Sequence, residues 1–258
     1  MHSATYLYGF TRLGPALPAG LRGVEGAPVR PIAIGGLAAV VGEVPSTSFQ
    51  SGTVSDPTWL IPRVLEHERV IEAMRTAGPV MPVRFGSLFS TPTALEQWAA
   101  GNLGSIDEFL DRSADRDEWT FRLSVDLGCA TEALAAVDPR WAAMVEALPR
   151  SPGARYLREK KLAESARSET IRRASAIAES VRVAARRLAD ERLLPLRKPD
   201  EAGVEPILNA AYLVARHEAG TLRRTVESTA EGLPCLRLES SGPWAPAHFC
   251  PTLAAPGR

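Results

Sequence analysis

VMPVRFGSLF, residues 80–89, is the stretch on which the reading of this chain turns. Met81, Val83 and Phe85 alternate with Pro82, Arg84 and Gly86, the period of a β-strand with one face turned to a core. A proline, a charge and a glycine are all disfavoured inside strands, so their presence implies a packing or binding reason. A helical pattern precedes the segment. Asp56-Pro57 reads as an N-cap followed by a first-turn proline, and Leu60, Val64, His67, Ile71 and Met74 recur at spacings of four and three. Gly78-Pro79 ends that helix.

Toward the N-terminus, Thr5 to Phe10 reads as a short aromatic strand and Thr11 to Pro31 as a Gly- and Pro-rich loop. Ile32 to Ile34 and Leu37 to Val44 read as a hairpin turned by Gly35-Gly36. The order is strand, loop, strand, strand, helix, strand. This is a β-α-β-β-α-β pattern in which the loop of residues 11–31 takes the place of the first helix. Thr93 and Glu96 predict a capping box for the next helix, which carries apolar positions from Leu95 to Leu110 through a break at Gly101 to Gly104. The charged stretch Asp111 to Asp117 is the expected domain boundary.

Glu118 to Asp126 is a clean strand, with Trp119, Phe121, Leu123 and Val125 on one face. Helices follow at Ala130 to Val137 and Trp141 to Leu148. Ser151-Pro152-Gly153 then opens a long helix to about Arg192, with an apolar stripe of Ile171, Ala174, Ile177, Val181, Ala184 and Leu188. A short strand is expected at Leu193 to Leu196, a strand at Pro206 to Ala215, a helix at His217 to Thr229 and a strand at Pro234 to Glu239. The predicted fold is α+β with two domains, 1–115 and 116–258. Each is a ferredoxin-like variant, the second with added helices and the long helix at about 153–192.

The charge balance sets limits on function. Thirty basic and thirty acidic residues cancel, which gives no bulk electrostatic case for nucleic acid or an anionic membrane. Cys129, Cys235 and Cys250 are odd in number and widely spaced, so neither a disulfide framework nor a zinc site is suggested. MHSATYLYGF has no signal-peptide pattern, and no stretch approaches the ~20 apolar residues of a membrane span. A reduced cytoplasm is the expected location.

Catalytic motifs fail one by one. His67-Glu68 would begin HExxH, but position 71 is Ile rather than the second His, so His67 reads as a core or domain-contact residue. The glycine-rich pieces match neither phosphate-binding pattern, and the serines beside glycine match no nucleophile elbow. No cofactor or metal is expected. A hydrolase with a triad assembled only in space is the alternative.

Three places remain as candidate binding surfaces. Arg84, with Phe85 beside it, needs either an ion pair with Glu68 or Glu43 or a partner; the ion pair is the favoured reading. Arg155, Arg158, Lys160 and Lys161 cluster where the helix dipole disfavours cations. They form a solvated face, a surface for an acidic protein partner, or a nucleic-acid patch. Gly242-Pro243-Trp244 reads as a rigid turn that displays Trp244 or clamps it on the domain.

The chain resembles the gas vesicle accessory family labelled F/L. The resemblance is carried in order by YLYGF near the start, LAAVVGEVP at 37–45, the helix from Trp59 to Val70 and PVRFGSLF at 82–89. It continues through EWTFRL at 118–123, GARYLREKK at 153–161, LNAAYLV at 208–214 and GPWAPAHF at 242–249. Ala245 and Ala247 stand where the family commonly has an aromatic residue and a further proline. The resemblance implies a cytoplasmic, non-catalytic protein of gas vesicle formation. Its implied partners are the hydrophobic shell protein and other accessory proteins.

Overall fold

The computed structural model describes residues 3–14, 16–49, 55–197 and 201–254. The fold is α+β, with two sheets and seven α-helices among the described residues. The chain divides into two compact units, Met1–Glu118 with Pro243–Arg258, and Trp119–Gly242. The boundary falls just beyond the charged stretch. The expected assignment of 243–258 to the second domain is corrected, because the chain returns to the first unit to finish.

The first sheet runs β2 (Arg30–Ile34), β3 (Leu37–Pro45), β1 (Ser3–Arg12), β4 (Val80–Pro82), and β5 (Leu88–Phe89) also pairs with β1. All these pairings are antiparallel. The hairpin turn has positive φ at both Gly35 and Gly36, which a β-carbon would oppose. The register of β1 on β3 slips between Leu7 and Gly9, a bulge at Tyr8. The loop before β2 holds one short 3₁₀ turn, Val24–Gly26, where the pattern would place a first helix. Helix α1 (Pro57–Ala77) is capped as expected, with the Asp56 carboxylate accepting from Thr58 N. Its buried His67, Val70, Ile71 and Met74 face Tyr6, Tyr8, Val40 and Val44, with Ala245 of the tail in the same core. Helices α2 (Pro92–Ala100) and α3 (Leu103–Arg112) follow. The cap of α2 is Thr91, whose hydroxyl accepts from Ala94 N, and not Thr93.

The ten-residue strand expected at 80–89 is two short strands separated by a turn. Val80–Pro82 pairs with Gly9 to Thr11, and Leu88–Phe89 pairs with Thr5 and Tyr6. Both ends stay on β1 while the middle is pushed out.

The second sheet runs β7 (Ala189–Leu193), β8 (Val204–Ala215), β6 (Arg116–Asp126), β9 (Leu236–Trp244). Helices α4 (Ala130–Val137), α5 (Pro139–Glu146) and α6 (Pro152–Ala185) lie between β6 and β7 in sequence, and α7 (Ala219–Thr229) lies between β8 and β9. Counted along the chain from the first strand of each sheet, both have the order second, third, first, fourth. The buried face of α6 is Ala166, Thr170, Ala174, Ala178, Val181 and Ala185, rotated from the expected stripe toward small residues. Ala178, Val181 and Ala185 pack on Phe121, Tyr212 and Val214 of the sheet. Small side chains let the helix lie close to it. Helix α6 ends at Ala185 rather than near Arg192, and the strand expected at 193–196 lies at Ala189–Leu193.

Gly9 sits where β1 meets β4. A β-carbon there would lie 2.5 Å from the Met81 carbonyl oxygen and 3.2 Å from Pro82 Cα, both backbone atoms that cannot turn away. Gly9→Ala is expected to destabilise the chain by about 2–4 kcal/mol, in the range of forced backbone strain. Gly104→Ala in α3 meets open space and should leave stability unchanged or raise it by about 0.5 kcal/mol. Denaturant unfolding of the two variants checks the contrast.

Candidate functional site

Val83 to Ser87 forms the turn between β4 and β5. Val83 N donates to Tyr8 O at 3.0 Å, and Leu7 N donates to Ser87 O at 2.9 Å, so β1 grips the turn at both sides. Ser87 N and Ser87 Oγ both donate to Arg84 O, at 3.2 and 2.7 Å. Gly86 has φ +82, the left-handed region that glycine adopts without strain.

A buried polar chain holds this turn from behind. Gly86 N donates to the Tyr6 hydroxyl at 3.0 Å, and the hydroxyl lies 2.9 Å from His67 Nδ1. His67 Nε2 lies 3.2 Å from Val83 O. A carbonyl can only accept, so Nε2 carries the ring proton. Nδ1 then accepts from Tyr6 O–H. Every donor and acceptor is matched, and the chain begins and ends in the same turn. His67 is 1% exposed, and burial is the main force holding its imidazolium down to about 4, against the opposing Val83 bond. Its neutral form is the one this network uses.

Phe85 points into an aromatic group around the same histidine. Its ring centroid lies 5.8 Å from His67, 5.9 Å from Phe49, 6.1 Å from Tyr6 and 6.5 Å from Trp59. Phe85 thus anchors the turn. Arg84 is exposed, with no ion pair among the described residues. The favoured pairing of Arg84 with Glu68 or Glu43 is therefore corrected. Glu43 is engaged by Arg30, Ser3 and Thr5.

The first ten residues of α6, from Pro152 to Lys161, are exposed throughout. Arg155 pairs with Glu159 at 2.8 Å, but Arg158, Lys160 and Lys161 have no ion pair among the described residues. Farther along, three arginines are answered. Arg172 and Arg173 bind Glu169, Arg173 also binds Asp138, and Arg182 binds Glu179 and Glu191. Tyr156 and Leu157, 66% and 63% exposed, stand among the unanswered cations.

Trp244 does not end a rigid turn but closes strand β9, and it is 50% exposed. The tail beyond it is strapped to the first unit. Glu118 accepts from His248 N at 3.0 Å and lies 2.5 Å from His248 Nδ1. Arg112 donates to Phe249 O, Trp98 Nε1 donates to Ala254 O, and Ala254 N donates to Asn102 Oδ1. Glu118 sits in EWTFRL and His248 in GPWAPAHF, so two separate sequence blocks meet in one ion contact. The sequence reading missed this pair. A carboxylate heading an otherwise regular strand was its only trace.

The Tyr6–His67 network has a measurable acid sensitivity. An unfolded histidine titrates near 6.5, whereas buried His67 is held to about 4. The unfolded state therefore takes up the proton first as pH falls. Stability from His67 is complete above about 6.5 and falls by about 3 kcal/mol as pH drops toward 4. His67→Gln should be less stable at pH 7 yet lose less stability between those pH values. Tyr6→Phe, which leaves Gly86 N and His67 Nδ1 without their partner, should cost about 1–3 kcal/mol. Denaturant unfolding over that pH range, with amide exchange at Gly86, checks both.

The chain's similarity to known proteins agrees with this architecture. The family described as gas vesicle synthesis protein GvpL/GvpF matches residues 4–251. Gas vesicle protein L of Streptomyces sp. (strain CB03234) is 28% identical over 256 residues, covering 95% of this chain and 91% of that protein. Gas vesicle protein F of the same strain is 25% identical over 260 residues, covering 95% and 99%. The crystal structure of GvpF from Anabaena sp. PCC7120 superposes with a TM-score of 0.68 at 20% identity, over 99% of each chain. That of GvpF from Microcystis aeruginosa gives 0.64 at 21% identity, over 96% of this chain and 99% of the other. The two structures share the fold, and the family match spans nearly the whole sequence: the chain belongs to the gas vesicle synthesis protein GvpL/GvpF family.

Proposed function

We propose that this protein is a non-catalytic assembly factor of the gas vesicle, acting in the cytoplasm by binding the hydrophobic shell protein and other gas vesicle proteins. Family membership gives the accessory role. The observation that carries the binding reading is the start of α6, where Tyr156 and Leu157 lie exposed among cations that no carboxylate of the described residues neutralises. Solvent-exposed apolar side chains flanked by unpaired charge suit recognition of another protein. Trp244 and Arg84 are further exposed points that a partner can reach.

Chemistry at His67 is disfavoured by its hydrogen bonds. Both ring nitrogens are engaged by Tyr6 and the Val83 carbonyl, and burial keeps the ring neutral. No helix among the described residues is long and apolar enough to cross a membrane.

The test is co-purification of the tagged full chain with the shell protein from vesicle-forming cells. Retention is expected, and Tyr156→Ala with Leu157→Ala should reduce it by about tenfold, as loss of exposed apolar anchors does. No retention while both proteins remain folded, together with normal vesicles in a deletion strain, would contradict the proposal.

A further inference from the structure

An open groove of about 500 Å³ lies between helices α5 and α6 within the second unit. Trp141 and Met144 line it from α5, and Arg158, Lys161 and Leu162 line it from α6. The spacings are those of two helical ridges, i and i+3 on α5, and i, i+3 and i+4 on α6. Trp141 is rooted in the core with Leu134, Ala166 and Ala174, so its side of the groove is fixed. Met144 is 50% exposed, an unbranched thioether free to fit an incoming surface.

We infer that this groove receives an acidic amphipathic helix of a partner protein, with aliphatic side chains against Trp141, Met144 and Leu162 and carboxylates against Arg158 and Lys161. This rests on the reading of the protein as a binding factor and names the chemistry of one of its partners. Charge complementarity supplies the sign. Among the described residues Arg158 and Lys161 have no carboxylate of their own, whereas Arg172, Arg173 and Arg182 farther along the helix do. An acidic partner supplies the missing carboxylates.

The helical form of the ligand follows from the walls. Two α-helices have their backbone hydrogen bonds satisfied internally, so the groove offers no strand edge for an extended peptide to pair with. Recognition must pass through side chains, and a third helix can seat a ridge of side chains in the groove between two others. A nucleic-acid strand would gain the two cations but would place its phosphates beside a Met- and Leu-lined floor, with no stacking platform in the groove beyond the deeply buried Trp141.

The experiment titrates the full chain into a fluorescent helical peptide of about 18 residues with a Leu stripe flanked by Glu, following anisotropy. A second peptide has Lys in place of each Glu. The Glu peptide should bind, more weakly as salt rises, and the Lys peptide should not. Arg158→Glu with Lys161→Glu should weaken binding of the Glu peptide at least about tenfold, and Met144→Glu should do so independently. All three residues are surface positions, so an unchanged thermal melt shows that the variants are folded. Equal binding of the two peptides, or unchanged binding by the folded variants, overturns the inference. So does displacement of the peptide by a single-stranded oligonucleotide, which would assign the cations to phosphate. If the peptide fails while the shell protein is still retained, only the groove assignment falls. If both fail, the binding-factor reading falls with it.

Discussion

The hydrogen-bonded chain from Gly86 N through the Tyr6 hydroxyl and the His67 ring to Val83 O is the constraint around which the first unit is arranged. It ties three elements that are distant in sequence: the central strand β1, helix α1 and the turn between β4 and β5. The Tyr6 hydroxyl and the His67 ring are shielded from water, and each would cost roughly 1–3 kcal/mol if left unpaired. The network therefore admits one arrangement of the turn. Phe85 follows into the aromatic group, and Arg84 is left facing solvent. The neighbouring close approach of Gly9 to Met81 draws β4 against β1 and is part of the same packing.

The second unit distributes its charges differently along one helix. From Glu169 to Glu191 the cations and anions of α6 and its neighbours answer one another, and the buried face is alanine-rich and close to the sheet. Over its first ten residues α6 is exposed. Pro152 to Lys161 carries exposed apolar and cationic side chains that contribute little to the unit's own stability. Surface ion pairs are worth only ~0–1 kcal/mol each, so leaving these cations unpaired costs folding little while leaving them available to a partner. The helix is thus a structural member over its later turns and an exposed surface with unpaired cations over its first ones.

Much of this was legible in the residues. Strand and helix periods located β1, the glycine hairpin, α1 with its Asp56 cap, β6 and β8, because each has a local signal that its burial reinforces. Departures occurred where a distant partner decided. Alternation alone reads Val83 and Phe85 as same-face strand residues; only Tyr6 and His67 show why the chain turns between them. Residues 186–192 contain helix formers and no breaker. They leave the helix because Ala189 to Leu193 pairs with β8, while Glu191 is held by Arg182 and by the Tyr212 hydroxyl. Tertiary pairing outweighs propensity there. The tail's return to the first unit has no local signal, since its bonds run to Asn102, Arg112 and Glu118. Of the candidate residues, Phe85 proved an anchor, whereas Arg158 and Lys161 acquired a groove that spacing on one helix cannot reveal.

The most direct test of this account is the protonation state of His67, read by nitrogen-15 NMR of the imidazole ring in the full chain across pH. The network requires the neutral tautomer with the proton on Nε2 and an accepting Nδ1 at pH 7, and a ring that stays neutral until the pH approaches about 4. A proton on Nδ1, or titration near the ordinary 6.5, would mean that His67 does not fasten the turn, and the placement of Phe85 and Arg84 would lose its cause.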